Sequence, residues 1–251
     1  DFHRDLDRLT QTVRDRVNAA HNKGTYQNEG KPILTGTADT SSESSISANG
    51  KLKVSYTNSN NEVIHSETID LDTPTINLFS DLESEVEPKL EFTLNSDDQL
   101  ELSLPATLPA GASGATGFTI DTGEAVITSG KIGEERSFSH YFGLNNLFET
   151  PETPLVSANN AADIAGAAGD IEVRSDIKED PKRISAGIAV EEPPPATPPP
   201  DNPPAVPVGD ATVAQAMADA FESRASILKS EGNLRKVDTT MSGYAADILS
   251  F

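Results

Sequence analysis

Apolar residues recur every third or fourth position near both ends of this chain and every second position through its middle. That change of period limits the fold more than any other feature. In residues 1–23, Phe2, Leu6, Leu9, Val13, Val17 and Ala20 form a narrow stripe among Arg4, Asp7, Arg8, Arg14, Asp15 and Arg16. Such a stripe predicts an amphipathic helix suited to a coiled-coil-like bundle. Asn22, Lys23 and Gly24 supply its stop. Near the other end, Gly209 and Asp210 open a helix carrying Val213, Met217, Ala220 and Phe221 on one face. Gly232 and Asn233 break the pattern, and a final helix is expected from near Asp238, capped by Thr239 or Thr240, with Tyr244, Ile248 and Phe251 facing inward.

Between these ends, residues 25–44 are rich in Gly, Thr and Ser and predict a crossover loop. From Gly50 the period becomes two. Leu52, Val54 and Tyr56 alternate with polar residues, Asn58 to Asn61 make a turn, and Glu62 to Leu71 return, which predicts a hairpin. Ile76, Phe79, Leu82 and Val86 then share a helical face ended by Pro88. Leu90 to Leu104, folded about Asn95–Asp98, predict a second hairpin, and Phe118 to Ile127 a further strand or two. Hairpin, helix, hairpin and strand together predict a β-rich α+β domain over residues 45–135.

Residues 136–190 form a return segment. Its most apolar part is SHYFGLNNLFET, residues 139–150, in which Phe142, Leu144, Leu147 and Phe148 surround Gly143 and Asn145–Asn146. With Phe138 just before it, the stretch holds three of the nine Phe, enough apolar area to anchor a buried turn that Gly143 closes in the left-handed conformation. Farther on, Ile171 and Val173 suit a short strand. Asp180 before Pro181 suits a helix start running to Ala186, with Gly187 as its stop. Residues 191–207 hold nine prolines in seventeen positions, which favours an extended polyproline spacer over 191–208 and leaves 209–251 for the C-terminal helices.

The chemistry-bearing residues are sparse. Four His stand apart at positions 3, 21, 65 and 140, with no pair one helical turn apart, and there is no Cys. His21 reads as a packing or capping residue. There is no Gly-x-Ser-x-Gly elbow or phosphate-binding glycine loop, and Asp97–Asp98 falls in a hairpin turn with too few oxygen ligands for calcium. The expectation is a protein that is not an enzyme and carries no cofactor or metal. A net charge of −21 argues against nucleic acid and anionic membrane as partners, both of which select clustered Lys and Arg. No apolar run reaches membrane-span length, and residues 1–20 are charged, unlike a cleaved signal peptide. The chain starts without Met inside a helical pattern and stops at Phe251 without a helix stop, which predicts a piece of a longer protein.

Four stretches resemble one known family. Tyr141-Phe-Gly-Leu-Asn-Asn-Leu-Phe148 is similar to an aromatic-Gly-Leu-Asn-x-Leu-Phe segment in the C-terminal half of the flagellar hook-associated protein 1 family, whose members join the flagellar hook to the filament. Val173, Asp176, Ile177, Asp180, Pro181, Ile184, Ala186 and Gly187 follow in the family's order. The string VNAAHNKG at 17–24 and GDATVAQAMADAF at 209–221 resemble its bundle helices. The resemblance implies an α+β fold in which both chain ends form an α-helical bundle and the β-rich domain is inserted between them. It also implies a structural subunit, extracellular in the flagellum and exported without a cleaved signal. Its partners would be copies of itself in a ring, the hook protein and the adjacent junction protein. On this view Leu6, Leu9, Val13, Val17, Val213, Met217 and Phe221 carry bundle contacts, while Phe142, Gly143, Leu144, Leu147, Phe148, Val173, Asp176, Asp180 and Pro181 hold the return segment. A secreted adhesin or carbohydrate-binding module on a helical stalk is the rival reading, and Tyr56 is the β domain's one candidate sugar platform.

Overall fold

The alternating segment folds as its spacing predicts. In the computed structural model, β3 (Lys51–Thr57) and β4 (Val63–Asp70) form an antiparallel hairpin about the 58–62 turn. Asn58 organises that turn, its side-chain oxygen accepting from the backbone N–H groups of Asn60 and Glu62. The second hairpin pairs β5 (Glu91–Leu94) with β6 (Leu100–Ser103), and Asn95 plays the same part by accepting from Asp97 and Gln99. An Asn at the first turn position can satisfy its own backbone in this way, so the turns are set by chemistry local to them. Asp98 completes the second turn in the left-handed region, at φ +55°.

The structure describes residues 2–25, 32–41, 46–72, 79–87, 89–129, 135–149, 165–189, 204–228 and 236–249. Strand β7 (Gly117–Asp121) pairs with β3, giving a sheet of order β4-β3-β7. The expected loop at 25–44 and its margin instead contribute β1 (Ile33–Thr35), which pairs with β6, and β2 (Ile46–Asn49), which pairs with β8 (Val126–Ser129). Strand β9 (Glu135–Ser137) adds to β8. Three small antiparallel sheets thus surround one core. Leu52, Val54, Tyr56, Ile69, Leu82, Val86, Leu90, Phe92, Leu100, Leu102, Phe118 and Ile127 meet there, with Leu82 and Val86 coming from helix α2 (Phe79–Val86). Residue Pro88, the expected stop of α2, lies outside the described residues, as does Ile76.

Helix α3 (Phe138–Phe142) drives the aromatic stretch into this same core. Phe138, Tyr141, Phe142 and Leu144 are fully buried, and Phe142 packs against the rings of Phe79, Phe92, Phe138 and Tyr141 at centroid distances of 6.1, 6.1, 5.0 and 4.9 Å. Gly143 ends α3 at φ +66°, and a Cβ there would strike Thr37 Oγ1. Its neighbour Gly36 is equally constrained, since a Cβ would strike the carbonyl of Phe142. The stretch is therefore the floor of the β core.

The expected bundle of both chain ends is not what forms. The molecule is a mixed α+β fold with several small antiparallel sheets and, among the described residues, seven α-helices. Helix α1 (Phe2–His21) is a helix as expected, but it is flanked by short pieces of several kinds: α4 (Ala167–Asp170), β10 (Phe148–Glu149), α6 (Thr212–Glu222), β12 (Ala225–Leu228) and α7 (Met241–Leu249). The reason lies in what α1 buries. Asp7, Arg8, Gln11, Arg14, Asn18 and His21 are buried with Val17 and Ala20, whereas Leu6, Leu9 and Val13 are half-buried and Phe2 is exposed. Asp7 and Asn18 on this face bond to backbone groups of residues 166–168 and 147–148, so α1 is held by turns and strand ends as well as by the flanking helices. The C-terminal part departs too, because a hairpin of β12 and β13 (Lys236–Thr239) separates α6 from α7. On α7, Tyr244 and Ile248 are buried as expected, with Leu9 packed against them; Phe251 lies outside the described residues.

The return segment holds β11 (Glu172–Val173), paired with β10, then α5 (Ser175–Glu179) and a 3₁₀ turn at Pro181–Arg183. The helix expected over 182–186 is only this turn, and Ile184 to Gly187 run on without helix. Most of the expected proline spacer lies outside the described residues. Its end docks on the β3–β4 turn: Glu62 and Pro204 form an antiparallel bridge, the Ala205 N–H donates to the Asn61 carbonyl at 3.0 Å, and Ala205 and Val206 are buried.

Candidate functional site

The last turn of α1 carries Asn18 and His21, Asn22 follows directly after it, and all three are buried. Each faces chain about 120 residues away. Asn18 acts like one more strand residue: its Oδ1 accepts from the Leu147 and Phe148 N–H groups, both at 2.9 Å, and its Nδ2 donates to the Phe148 carbonyl at 2.8 Å. Asn22 Oδ1 accepts from the Asn145 N–H at 2.9 Å, and its Nδ2 donates to Asn146 Oδ1 at 2.7 Å. The Asn146 Nδ2 then donates to Thr37 Oγ1 at 2.8 Å, extending the chain of bonds to the β region.

His21 and Asn145 form the centre. The His21 Nε2 lies 2.9 Å from the Ser185 N–H, which can only donate, so that nitrogen accepts and is unprotonated. Its Nδ1 therefore carries the proton and donates to the Asn145 carbonyl at 2.6 Å. Burial holds the imidazole below its ordinary value of 6.5, opposed by the Asn145 carbonyl and reinforced by the charge of Arg174. Asn145 Nδ2 reaches the His21 carbonyl at 3.0 Å, the Gly24 carbonyl at 3.1 Å and Ser185 Oγ at 2.8 Å. Gly24 is needed where it stands, because a Cβ there would come within 2.5 Å of the Ser185 Cβ.

Ser185 to Ala189 are gripped from both sides. On one side Thr25 donates its N–H to the Gly187 carbonyl at 3.1 Å, and its hydroxyl accepts from the Ala189 N–H at 2.7 Å. On the other, the Ala186 carbonyl accepts from the N–H groups of Val213 and Ala214 at the free N-terminus of α6. A helix N-terminus leaves such donors open. Asp210, just before α6, accepts from the Ile188 N–H at 2.8 Å and from the Thr212 N–H at 2.9 Å. The Thr212 hydroxyl, then these two N–H groups, hold its carboxyl below the usual range.

Two ionic groups flank the clasp. Arg174 grips Asp176 with two bonds, at 2.8 and 2.9 Å, while its third nitrogen donates to the Leu144 carbonyl at 2.9 Å. Arg183 approaches the same carboxylate at 3.1 Å. Burial pushes the Asp176 carboxyl up, but the bonds and charge of Arg174, then Arg183, outweigh it and hold it below its ordinary value. On the middle of α1, Asp15 meets Arg136 at 2.9 Å and His140 at 3.4 Å. Burial opposes ionisation there too, yet the His140 hydrogen bond and the Arg136 charge keep Asp15 far below the ordinary range. Burial brings Arg14 down to about 10, with Asp15 opposing that shift and Arg136 adding to it.

The structure brings together Gly143, Leu144, Leu147, Phe148, Asp176 and Val213 around this clasp, with Phe142 in the core beneath and Val17 buried on α1. Leu147, Phe148 and Val173 are half-buried, and Asp180 and Pro181 cap and open the 3₁₀ turn at its edge. Met217 is half-buried and Phe221 is exposed, so α6 anchors chiefly through Val213 and Ala220. Sequence reasoning missed Asn18, Asn22, Asn145 and Ser185. Their signal was a spacing: Asn18, His21 and Asn22 recur at three and four along a helix, so three polar residues share the face that ends it.

Among the described residues no cluster of three or more His, Asp or Glu could hold a metal ion, and no helix is long and apolar enough to cross a membrane. Both His21 nitrogens are engaged, which leaves neither for a ligand. Tyr56 is fully buried, its hydroxyl donating to the Lys89 carbonyl at 2.7 Å, so it presents no ring to a sugar. No protein-family model and no curated protein matches the chain.

Proposed function

We propose that this chain is a structural subunit of the bacterial flagellum, acting at the hook–filament junction. Copies pack side by side in a ring of the extracellular axial tube, between the hook protein and the adjacent junction protein. One observation carries the reading. The stretches that bear the resemblance, 17–24, 141–148, 173–187 and the start of 209–221, converge on a single clasp. Residues this far apart in sequence are expected to share one motif set when they hold one joint.

The joint suits a load. Apolar contact is non-directional and lets surfaces slide, whereas hydrogen bonds have angular requirements and resist twisting. The clasp fixes the β region to the end of α1 through directional bonds, and the aromatic floor beneath it adds apolar burial. A subunit of a rotating tube needs its β region held at a fixed angle to helix α1. Acidic surface keeps such a secreted subunit soluble before assembly.

The test is removal of the gene in the source organism, with electron microscopy of the hooks and an assay of the medium for flagellin. Bare hooks with flagellin shed into the medium are expected. Filaments of normal number and length overturn the junction role.

A further inference from the structure

Two buried polar atoms, one in the clasp and one on β7, lack a partner, and both residues line the same cavity. Asn145 Oδ1 and Thr119 Oγ1 are sealed from solvent and make no hydrogen bond to protein. Thr119 sits on β7 opposite Ser55 of β3, and is 4% exposed, as is Asn145. Both residues line a cavity of about 20 Å³, with Ser139, Phe118 and Leu144 among the other lining residues.

The orientation of the Asn145 amide is not arbitrary. Its NH₂ group faces two carbonyls, those of His21 and Gly24, which can only accept, so the oxygen must point the other way. Turning the amide over would set oxygen against oxygen twice. The unmet lone pairs of Oδ1 are thus a fixed consequence of the clasp, and they need a donor. Thr119 has a hydroxyl that both donates and accepts, with no protein partner for either role.

We infer that the cavity binds one water molecule, bridging β7 to the clasp. A water needs roughly 10–15 Å³ of such space and two to four polar partners. The volume of about 20 Å³ meets that need for one molecule. The water donates one hydrogen to Asn145 Oδ1 and exchanges a bond with the Thr119 hydroxyl, and Ser139 on the same wall is a third group of suitable chemistry. An apolar occupant would leave both orphan atoms unmet. A metal cation finds no carboxylate among the lining residues. The site closes the polar circuit that starts at α1 and makes the β4-β3-β7 sheet part of the same joint. It stands independently of the flagellar reading.

The test is water-to-amide cross-relaxation by NMR on the whole chain, in wild type and in Thr119→Val, which removes the hydroxyl at nearly constant shape. Wild type is expected to show long-lived water contacts at the Thr119 and Asn145 amides. In Thr119→Val these contacts are expected to be lost while the His21 Nδ1 proton keeps its position. Absence of such contacts in wild type overturns the inference, as does their survival at full intensity in Thr119→Val. A crystal structure supplies a second measurement should the variant not fold. An oxygen within about 2.6–3.2 Å of both orphan atoms supports the site, and a direct Thr119–Asn145 hydrogen bond that closes the cavity refutes it.

Discussion

Replacing Asn145 with Ala should be among the most damaging single changes outside the apolar core. The substitution withdraws one NH₂ group from three acceptors. The His21 carbonyl keeps the Gly24 N–H as a partner at 3.0 Å, and the Ser185 hydroxyl can rotate. The Gly24 carbonyl keeps no bond among those described here, so its desolvation is uncompensated at about 1–3 kcal/mol. Loss of one further net hydrogen bond adds about 1 kcal/mol, and removal of the orphan Oδ1 returns a fraction. The expected cost is about 2–4 kcal/mol, which for a chain of this size lowers Tm by roughly 4–16 °C. Asn145→Asp is the sharper control, because it keeps the shape and turns a donor into an acceptor facing two carbonyls. It should cost at least as much as Ala at neutral pH. Urea denaturation followed by circular dichroism reads both, as a lowered midpoint with unchanged slope. Midpoints of both variants within about 0.5 kcal/mol of wild type would refute the clasp as a source of stability.

Stability should also fall with pH through the His21 window. Because the folded value lies below the ordinary 6.5, the unfolded chain binds the extra proton between the two values. The stabilisation is complete above 6.5 and is lost as pH falls towards the folded value. Urea midpoints at pH 7.5 and 5.5 should therefore differ in wild type and differ less in His21→Gln; equal differences contradict the assignment. Phe142→Ala, in the fully buried floor, should cost about 3–5 kcal/mol, whereas half-buried Leu147→Ala should cost about 1 kcal/mol. Equal losses would show that the floor is wrongly placed. Gly143→Ala combines left-handed strain of about 1–2 kcal/mol with collisions at Thr37 and Asn146, while Gly114→Ala, at φ +90° in open space, has the strain alone. The first should melt well below the second, and the reverse order counts against the close approach.

The two hairpins were legible because each has strands of four or more residues and an Asn that sets its own turn. Strands β1 and β2 were not. Ile33–Thr35 is three residues long, too short for a period, and its partner β6 lies about 70 residues on. Ile46–Asn49 alternates in burial, but with only Ile46 and Ala48 apolar the pattern is too weak to read. The hairpin of β12 and β13 was hidden in the same way, between two helices whose own periods dominate the region.

Helix α1 shows a different limit. Its apolar stripe predicted correctly that it is a helix and that Val17 and Ala20 are buried, whereas Leu6, Leu9 and Val13 are only half-buried and Phe2 is exposed. The surfaces that reach the end of α1 are turns and extended chain, with open N–H and C=O groups. Against those, Asn18, His21 and Asn22 satisfy bonds that Leu would leave unmade. Periodicity reports where apolar residues fall, and it is silent on the polarity of the partner. The aromatic floor escaped this limit because Phe138, Phe142 and Leu144 meet an apolar partner, the core of the β region.

The junction role is tested most directly by position. Gold-labelled antibody against this chain, applied to intact flagella and viewed by electron microscopy, should decorate a narrow band where the hook meets the filament. Label spread along the filament, on the cell surface or at the flagellar base would contradict the account.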